Sequence, residues 1–325
     1  MLIATGTSFR AFKDAEMIRF DQEFAKVSAQ TQEDTLEIVL THGIYLRKKT
    51  AKKRYLVNGV GKRKKDLTSN LFAVLFEPQD LLIILGSPSN RRNYFNSTLS
   101  QIDWKYAQAL TNYQKGMKQR NKLLYQIREG EASLSQLEFW DQHLLKHGQY
   151  ITQQRQKLID YLNHHKHQSQ FLSSIYQTYQ IPQDQLIFQF DYDHSHITKE
   201  RLQHYQQAEI ASANTLIGPH RDELMIQFIQ NITNQSSLGY KPIASYGSRG
   251  QQRLAVLALK LAQANYIHHQ TNTRPIILLD DIFSELDHTN DQIVLDIIKN
   301  YQTIITTTEI TTIDLKTDVK IIKLS

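Results

Sequence analysis

The apolar pattern changes period along the chain. Phe24-Ala25-Lys26-Val27 and Leu36-Glu37-Ile38-Val39-Leu40 read as strands. Asn58-Gly59, between Tyr55-Leu56-Val57 and Val60, predicts a two-residue hairpin, because both turn positions need positive φ. Residues 1–75 are therefore mostly β. Met1 to Ala4, a short apolar piece followed by Thr5-Gly6, reads as the last turn of a helix.

Ser87-Pro88 then opens a helical region, with Ser at the cap and Pro at the first helical position. The helical pattern runs from Arg91 to about Ser174. One stripe carries Leu110, Tyr113, Met117, Leu123 and Leu124, and a second carries Leu134, Leu137, Leu144, Leu145, Ile151, Leu158 and Leu162. Arg128-Glu129-Gly130-Glu131 is the predicted turn between them, which makes an antiparallel arm. Trp104 and Trp140 are expected to pack on it, and its histidines, His143 and His147 with His164, His165 and His167, to lie solvated on its surface.

Ile181-Pro182 ends that pattern, and β character returns at Leu186 to Phe190 and Leu224 to Ile229. A helix from Gln251 to about His268 places Leu254, Leu257, Ala258 and Leu261 on one face. The run Ile276-Ile277-Leu278-Leu279 is too short for a helix and fits a buried parallel strand. Ile293 to Ile298 reads as helix and Thr303 to Thr308 as strand. This order predicts an α/β head with a helical arm inserted between its two parts.

The 325 residues, 40% of them hydrophobic, suffice for a large core, and no run of eighteen apolar residues occurs. The first residues lack the basic and apolar regions of a signal peptide. The absence of cysteine excludes disulfides, thiolate metal sites and thiol catalysis, and fits the cytoplasm. Ten basic side chains and no acid fall within 47–65; subtracted from the net +6, they leave the rest of the chain at −4. So concentrated a basic site suggests a polyanionic partner, with Lys52, Lys53, Arg54, Lys62, Arg63, Lys64 and Lys65 the candidates for DNA-backbone contact. A lysine-rich hairpin guarding a sheet edge is the plain alternative.

Two constellations carry chemistry. Asp280-Asp281 ends the buried strand, where α/β sheets bind ligands. Asp280 can hold Mg²⁺, directly or through water, and Asp281 can orient and deprotonate an attacking water. One helix earlier, Ser248-Arg249-Gly250-Gln251 forms a turn whose first-turn amides and hydroxyl make an anion site. Gly218-Pro219-His220-Arg221-Asp222 is expected to form a turn with Arg221 paired to a nearby acid.

Together with Thr5 to Arg10, Gly86 to Arg92 and Tyr113 to Asn121, these motifs resemble the RecF family over nearly the whole chain. The resemblance implies an SMC-like ABC-type ATPase head of the P-loop NTPase fold, carrying a short helical lobe. It implies weak ATP hydrolysis with Mg²⁺, an ATP-dependent homodimer, and binding to double-stranded or single-stranded DNA at junctions or gaps. It also implies action with RecR and RecO to place RecA during repair. In that frame Ser248, Arg249, Gly250 and Gln251 match the signature that reaches ATP on the opposite subunit. Asp280 and Asp281 match the metal-binding and catalytic acids, and Ser284, Glu285, Leu286 and Asp287 the D-loop. Gln79 stands where the family has an acid, and Thr306 to Thr308 where many ABC proteins have a switch histidine.

No G-x-x-x-x-G-K-[ST] loop occurs in these residues. The expectation is a head lacking its first strand–P-loop–helix unit, through a misplaced start, a fragmentary gene or a genuine short form lending its signature to an intact partner. Residues 1–80 and 183–325 are predicted to form the head and 81–182 the lobe. A catalytically silent DNA-binding scaffold and another SMC-like ATPase are the alternatives.

Overall fold

The computed structural model describes residues 1–164, 167, 172–178, 188–229, 240–282, 294–295, 299–307 and 320–322. They divide into two compact units. One comprises Met1–Leu81, Ser169–Gln185 and Gly247–Ser325, the other Leu82–Gln168 and Leu186–Tyr246.

In the first unit, strands β1 (Phe24–Gln30), β2 (Thr35–Thr41), β5 (Lys53–Val57) and β6 (Val60–Lys62) form an antiparallel sheet in the order β1-β2-β5-β6. Between them, β3 (Ile44–Tyr45) and β4 (Lys48–Lys49) pair as a small separate ribbon. Leu36, Ile38 and Leu40 alternate onto one face of β2, where Ile3, Ile18 and Leu67 cover them. Ile3 belongs to the short helix α1 (Leu2–Thr5), which Gly6 ends at φ 70°. Leu67 comes from α2 (Lys64–Thr68). Asn58 and Gly59 turn β5 into β6 at φ 51° and 76°, the left-handed pair the hairpin requires.

The same unit holds a parallel sheet. Its order is β12 (Thr303–Thr306), β11 (Ile276–Asp280), β7 (Ala73–Phe76). Every residue of β7 is buried, as a strand covered on both faces should be. Of the Ile293 to Ile298 stretch, only Val294 and Leu295 are described, and both are helical and buried.

The second unit begins after α3 (Leu81–Leu85) with α4 (Pro88–Ile102), followed by α5 (Trp104–Arg128) and α6 (Leu137–Leu162). Pro88 is at the first helical position, but Ser87 makes no side-chain cap bond. Helices α5 and α6 run antiparallel. Tyr106 faces Arg155, Tyr113 faces Gly148, Gly116 faces His143 and Arg120 faces Asp141. The buried positions of α5 are 106, 109, 113, 116, 120, 123 and 124, and from 106 to 123 they keep the three-four spacing typical of a helical seam. Gly116 and Arg120 therefore occupy the seam where the apolar reading placed Leu110 and Met117. His143 is not solvated as expected. It lies against Gly116, where a Cβ would collide with the ring, and its Nε2 meets the Asn112 carbonyl at 3.1 Å.

Residues 186–246 cluster with these helices, whereas the sequence pattern placed 183–325 in the head. The strands β8 (Phe188–Asp193), β9 (Glu223–Ile229) and β10 (Tyr240–Pro242) make an antiparallel sheet, and the helix Lys199–Ser212 lies against α5. Two buried arginines tie them in. The fully buried Arg120 bonds Asp141 at 2.7 Å, Glu209 at 2.7 Å and Thr215 at 3.0 Å. Arg155 bonds Asp222 and the Pro219 carbonyl at 2.7 Å each, and Asn96 at 3.0 Å. Neither charge can be left unpaired at such burial.

The Gly218–Asp222 motif thus acts through Asp222, not through Arg221 as expected. Arg221 is exposed, and among the described residues its side chain reaches only the Thr215 carbonyl, at 3.4 Å. Gly218 has φ 120°, and a Cβ there would collide with the Tyr113 hydroxyl. That hydroxyl meets His220 Nδ1 at 2.8 Å, while His220 Nε2 meets the Thr215 carbonyl at 3.0 Å. Burial pushes the His220 imidazole down from 6.5 to about 4, with Arg221 and Arg92 adding to the effect. A depressed folded value means stability is full above pH 6.5 and declines as pH falls towards 4. The expected loss from this group is up to about 3 kcal/mol. Urea denaturation of the chain and of His220→Gln across that range checks it. The variant should lose the slope, and an unchanged slope would remove His220 as its cause.

Candidate functional site

Strand β11 carries Asp280 to the open end of the parallel sheet, in register with Thr306 of β12. Asp280 Oδ1 accepts the Thr306 hydroxyl at 2.7 Å, and Oδ2 accepts Arg10 Nη2 at 2.5 Å. The Thr306 bond, then the Arg10 bond and charge, hold the carboxyl below the usual range against a partial burial penalty. Asp280 is therefore ionised at neutral pH. The chain turns sharply after it. Asp281 has φ 53°, a left-handed conformation that Asp tolerates better than most residues, and its amide donates to the Thr306 carbonyl at 3.1 Å.

A third acid stands close by. Glu77 follows β7, the strand beside β11, and burial raises its carboxyl, with the charges of Asp80 and Asp280 adding to the rise. Its turn is held from within. Asp80 Oδ2 accepts the Glu77 amide at 2.8 Å, and Asp80 Oδ1 pairs with Lys260 Nζ at 2.5 Å. Lys260 also donates to the Leu75 carbonyl at 2.7 Å. Asp80 is buried and Gln79 exposed, so the departure at Gln79 leaves the internal brace intact. Phe76, Glu77, Pro78, Leu81, Arg253, Val256, Leu257 and Ile282 line a mostly apolar cleft here.

Arg253, Val256 and Leu257 belong to the helix Arg249–Thr271, whose N-cap is Ser248. Ser248 Oγ accepts the Gln251 amide at 3.3 Å, and Gln251 Oε1 accepts the Ser248 amide at 2.8 Å. This reciprocal capping box locks the turn. Because Ser248 Oγ serves as acceptor, its own proton remains to donate outward, beside the first-turn amides of Arg249 and Gly250. Ser248 and Arg249 are exposed, while Gly250 and Gln251 are half-buried.

The basic candidates separate into two groups. Lys53 Nζ is committed to Asp14 at 2.6 Å and to the Gly6 carbonyl at 2.8 Å. The Lys64 side chain packs on Gly6, and burial lowers its ammonium, with Lys53 adding to the fall. Both turn inward, against the expectation that they contact the DNA backbone. Arg63 is exposed but paired with Asp66 at 3.1 Å. Lys52, Arg54 and Lys62 are exposed and Lys65 is half-buried. Ser284, Glu285, Leu286, Asp287 and Thr308 lie outside the described residues.

Sequence reasoning missed two parts of this site. Arg10 served only as part of a family motif, although it lies on Asp280, and Lys260 read as one more polar position on a helix. No local signal marks either, because each partner is distant in the chain. Arg10 occupies Asp280 Oδ2, and the donors near Asp280 that a cation could use are all oxygens: its own carboxylate, the Thr306 hydroxyl and the neighbouring acids. Among the described residues, no three His, Cys, Asp or Glu side chains are grouped to hold a metal by themselves. That donor set fits Mg²⁺, which takes few protein oxygens and keeps waters or phosphate oxygens. Among the described residues no helix is long and apolar enough to cross a membrane.

Residues 2–323 match the family model of the RecF/RecN/SMC N-terminal domain. The chain is 34% identical to a DNA replication and repair protein RecF of Herpetosiphon aurantiacus, across 95% of this chain and 82% of the relative. Among solved structures it resembles the recombination mediator protein RecF bound to an ATP analogue, in the RecFOR pathway. The TM-score is 0.78 at 27% identity, over 96% of this chain and 82% of that one. A RecF–ATP structure of the same pathway matches with a TM-score of 0.75 at 28% identity, over 95% and 81% of the two chains.

Proposed function

Because the chain belongs to the RecF/RecN/SMC N-terminal domain family, and within it is a RecF-like DNA replication and repair protein, we propose that it serves as one head of an ATP-gated, DNA-binding dimer. The observation that carries this reading is the pairing, in one unit, of Asp280-Asp281 at the end of a central parallel strand with the Ser248-capped helix. The ATP-bound RecF relatives support the nucleotide.

On this reading Asp280, kept ionised by Thr306 and Arg10, would hold Mg²⁺, directly or through water. The ion would supply charge neutralisation on the phosphate being transferred. Asp281 orients the attacking water and accepts its proton. The Ser248 hydroxyl and the amides of Arg249 and Gly250 would face a γ-phosphate carried by a second subunit, as an exposed helix N-terminus can. Ser284 to Asp287 would complete the contact as the D-loop. Lys52, Arg54, Lys62 and Lys65 contact the DNA backbone, a sequence-independent and salt-sensitive interaction. We infer that it acts with RecR and RecO in placing RecA, in the cytoplasm; the RecFOR pathway named for the structural relatives supports this reading.

The test keeps the helix cap and changes only the charge. Asp caps helices as well as Ser, so Ser248→Asp should fold normally while setting a carboxylate against the shared phosphate. Sedimentation of the chain with a RecF-family subunit carrying an intact phosphate loop, with and without ATP, reads the association. Ser248→Asp should weaken the ATP-dependent association about tenfold or more, roughly 1.4 kcal/mol. Unchanged association would overturn the signature role and leave the DNA-binding scaffold reading.

A further inference from the structure

We propose that Arg92 and Arg221, in the second unit, form a binding site for a phosphate group. The site lies where two motifs meet, the Gly86–Arg92 segment and the Gly218–Asp222 turn. Arg92 Nη1 donates to the Asp222 carbonyl at 2.9 Å, which brings its guanidinium to the residue following Arg221. Four arginines gather at this turn, and carboxylates partner only two of them. Arg155 has Asp222 at 2.7 Å, and Arg91 has Glu223 at 2.6 Å. Among the described residues, Arg92 and Arg221 bond only to carbonyl oxygens, of Asp222 and Thr215.

Four positive charges against two negative leave the cluster at +2. His220 adds no charge at neutral pH, since burial holds it near 4. Arg92 is half-buried, and burial, together with the charge of Arg155, works against its protonated form. A half-buried guanidinium with no counter-ion, beside an exposed one, is a poor arrangement for stability alone. The bond to the Asp222 carbonyl gives Arg92 a structural task but none to Arg221. A phosphate meets the requirement of both, because it offers several anionic oxygens to two planar donor forks. The group could belong to a polynucleotide backbone or to a free phosphate compound.

Two variants and two probes decide. Arg221→Glu is the cleaner variant, since the side chain is exposed and makes a single long bond. Arg92→Gln is the second, and tryptophan fluorescence in urea verifies that each folds. Binding of a short duplex DNA is measured by anisotropy across a salt series, and pyrophosphate by isothermal titration. For a backbone phosphate, each variant should weaken duplex binding about fivefold or more and reduce the salt slope by about one. Loss of pyrophosphate binding with duplex binding intact would assign the site to a free phosphate compound. If neither probe responds to either variant, the proposal is overturned. The duplex arm rests on the DNA-binding reading above. Should the wild-type chain bind no duplex, that reading fails and the pyrophosphate arm decides the arginine site. The hairpin variant Lys62→Glu, run in parallel, reports on the hairpin separately.

Discussion

Asp222→Ala is expected to cost the second unit about 3–5 kcal/mol, the penalty for leaving a buried charge without its partner. Asp222 is fully buried and collects the Arg155 guanidinium at 2.7 Å, the Ser195 amide at 2.9 Å and the Tyr192 hydroxyl. Arg155 is 2% exposed, so water cannot take over from the lost carboxylate. Both tryptophans of the chain, Trp104 and Trp140, lie in this unit, so their fluorescence in urea reads its unfolding. Asp222→Asn separates charge from hydrogen bonding. It keeps an acceptor for Ser195 but no counter-ion, and should lose more than half of what Ala loses. An Asn variant as stable as the wild type would show that Asp222 serves only as an acceptor. Arg155→Met combined with Asp222→Asn should recover much of the loss, because the orphaned charge is then gone.

Lys260→Met is expected to loosen the first unit to a similar degree, about 3–5 kcal/mol. Met retains the stem of the side chain but removes the ammonium that joins the Leu75 carbonyl to Asp80. Asp80 is then a buried carboxylate held only by the Glu77 amide. The turn it braces carries Glu77 beside Asp280, so the effect reaches the candidate site. This unit has no tryptophan, and amide exchange over 73–80 and 249–271 is the suitable readout. A loss of that size corresponds to exchange faster by about a hundredfold to several thousandfold, where exchange reports the opening equilibrium. Lys260→Met with Asp80→Leu should restore most of the protection. Exchange unchanged in Lys260→Met would mean the pair contributes nothing net.

Both predictions rest on residues whose importance the sequence conceals. Arg120, Arg155 and Lys260 stand at helical positions that read as polar, and a helical period treats such positions as solvent-facing. Their seats are made by distant acids. Glu209 lies 89 residues from Arg120, and Asp222 lies 67 from Arg155. The same reason explains why Arg221, the more obvious charge in its motif, is exposed while its neighbour Asp222 is the buried one. It also explains why Lys53 and Lys64, indistinguishable in sequence from the other hairpin lysines, turn inward to Asp14 and Gly6.

What the sequence determined by itself is what short-range physics controls. Alternation set Leu36, Ile38 and Leu40 on one face of β2. Asn58-Gly59 set the hairpin, since few other pairs accept two positive φ values. The unbroken run 276–279 set a strand, of which Ile277 and Leu279 are buried and Ile276 and Leu278 half-buried, and Ser248 with Gln251 set the start of a helix. Tertiary structure alone decided which charges are paired. It laid Arg10 on Asp280 across 270 residues and set Lys260 under Asp80. It also drew residues 186–246 to the helices rather than the head. A cap or a turn is closed by neighbours within four residues, whereas a buried charge takes whichever opposite charge the packed core brings to it.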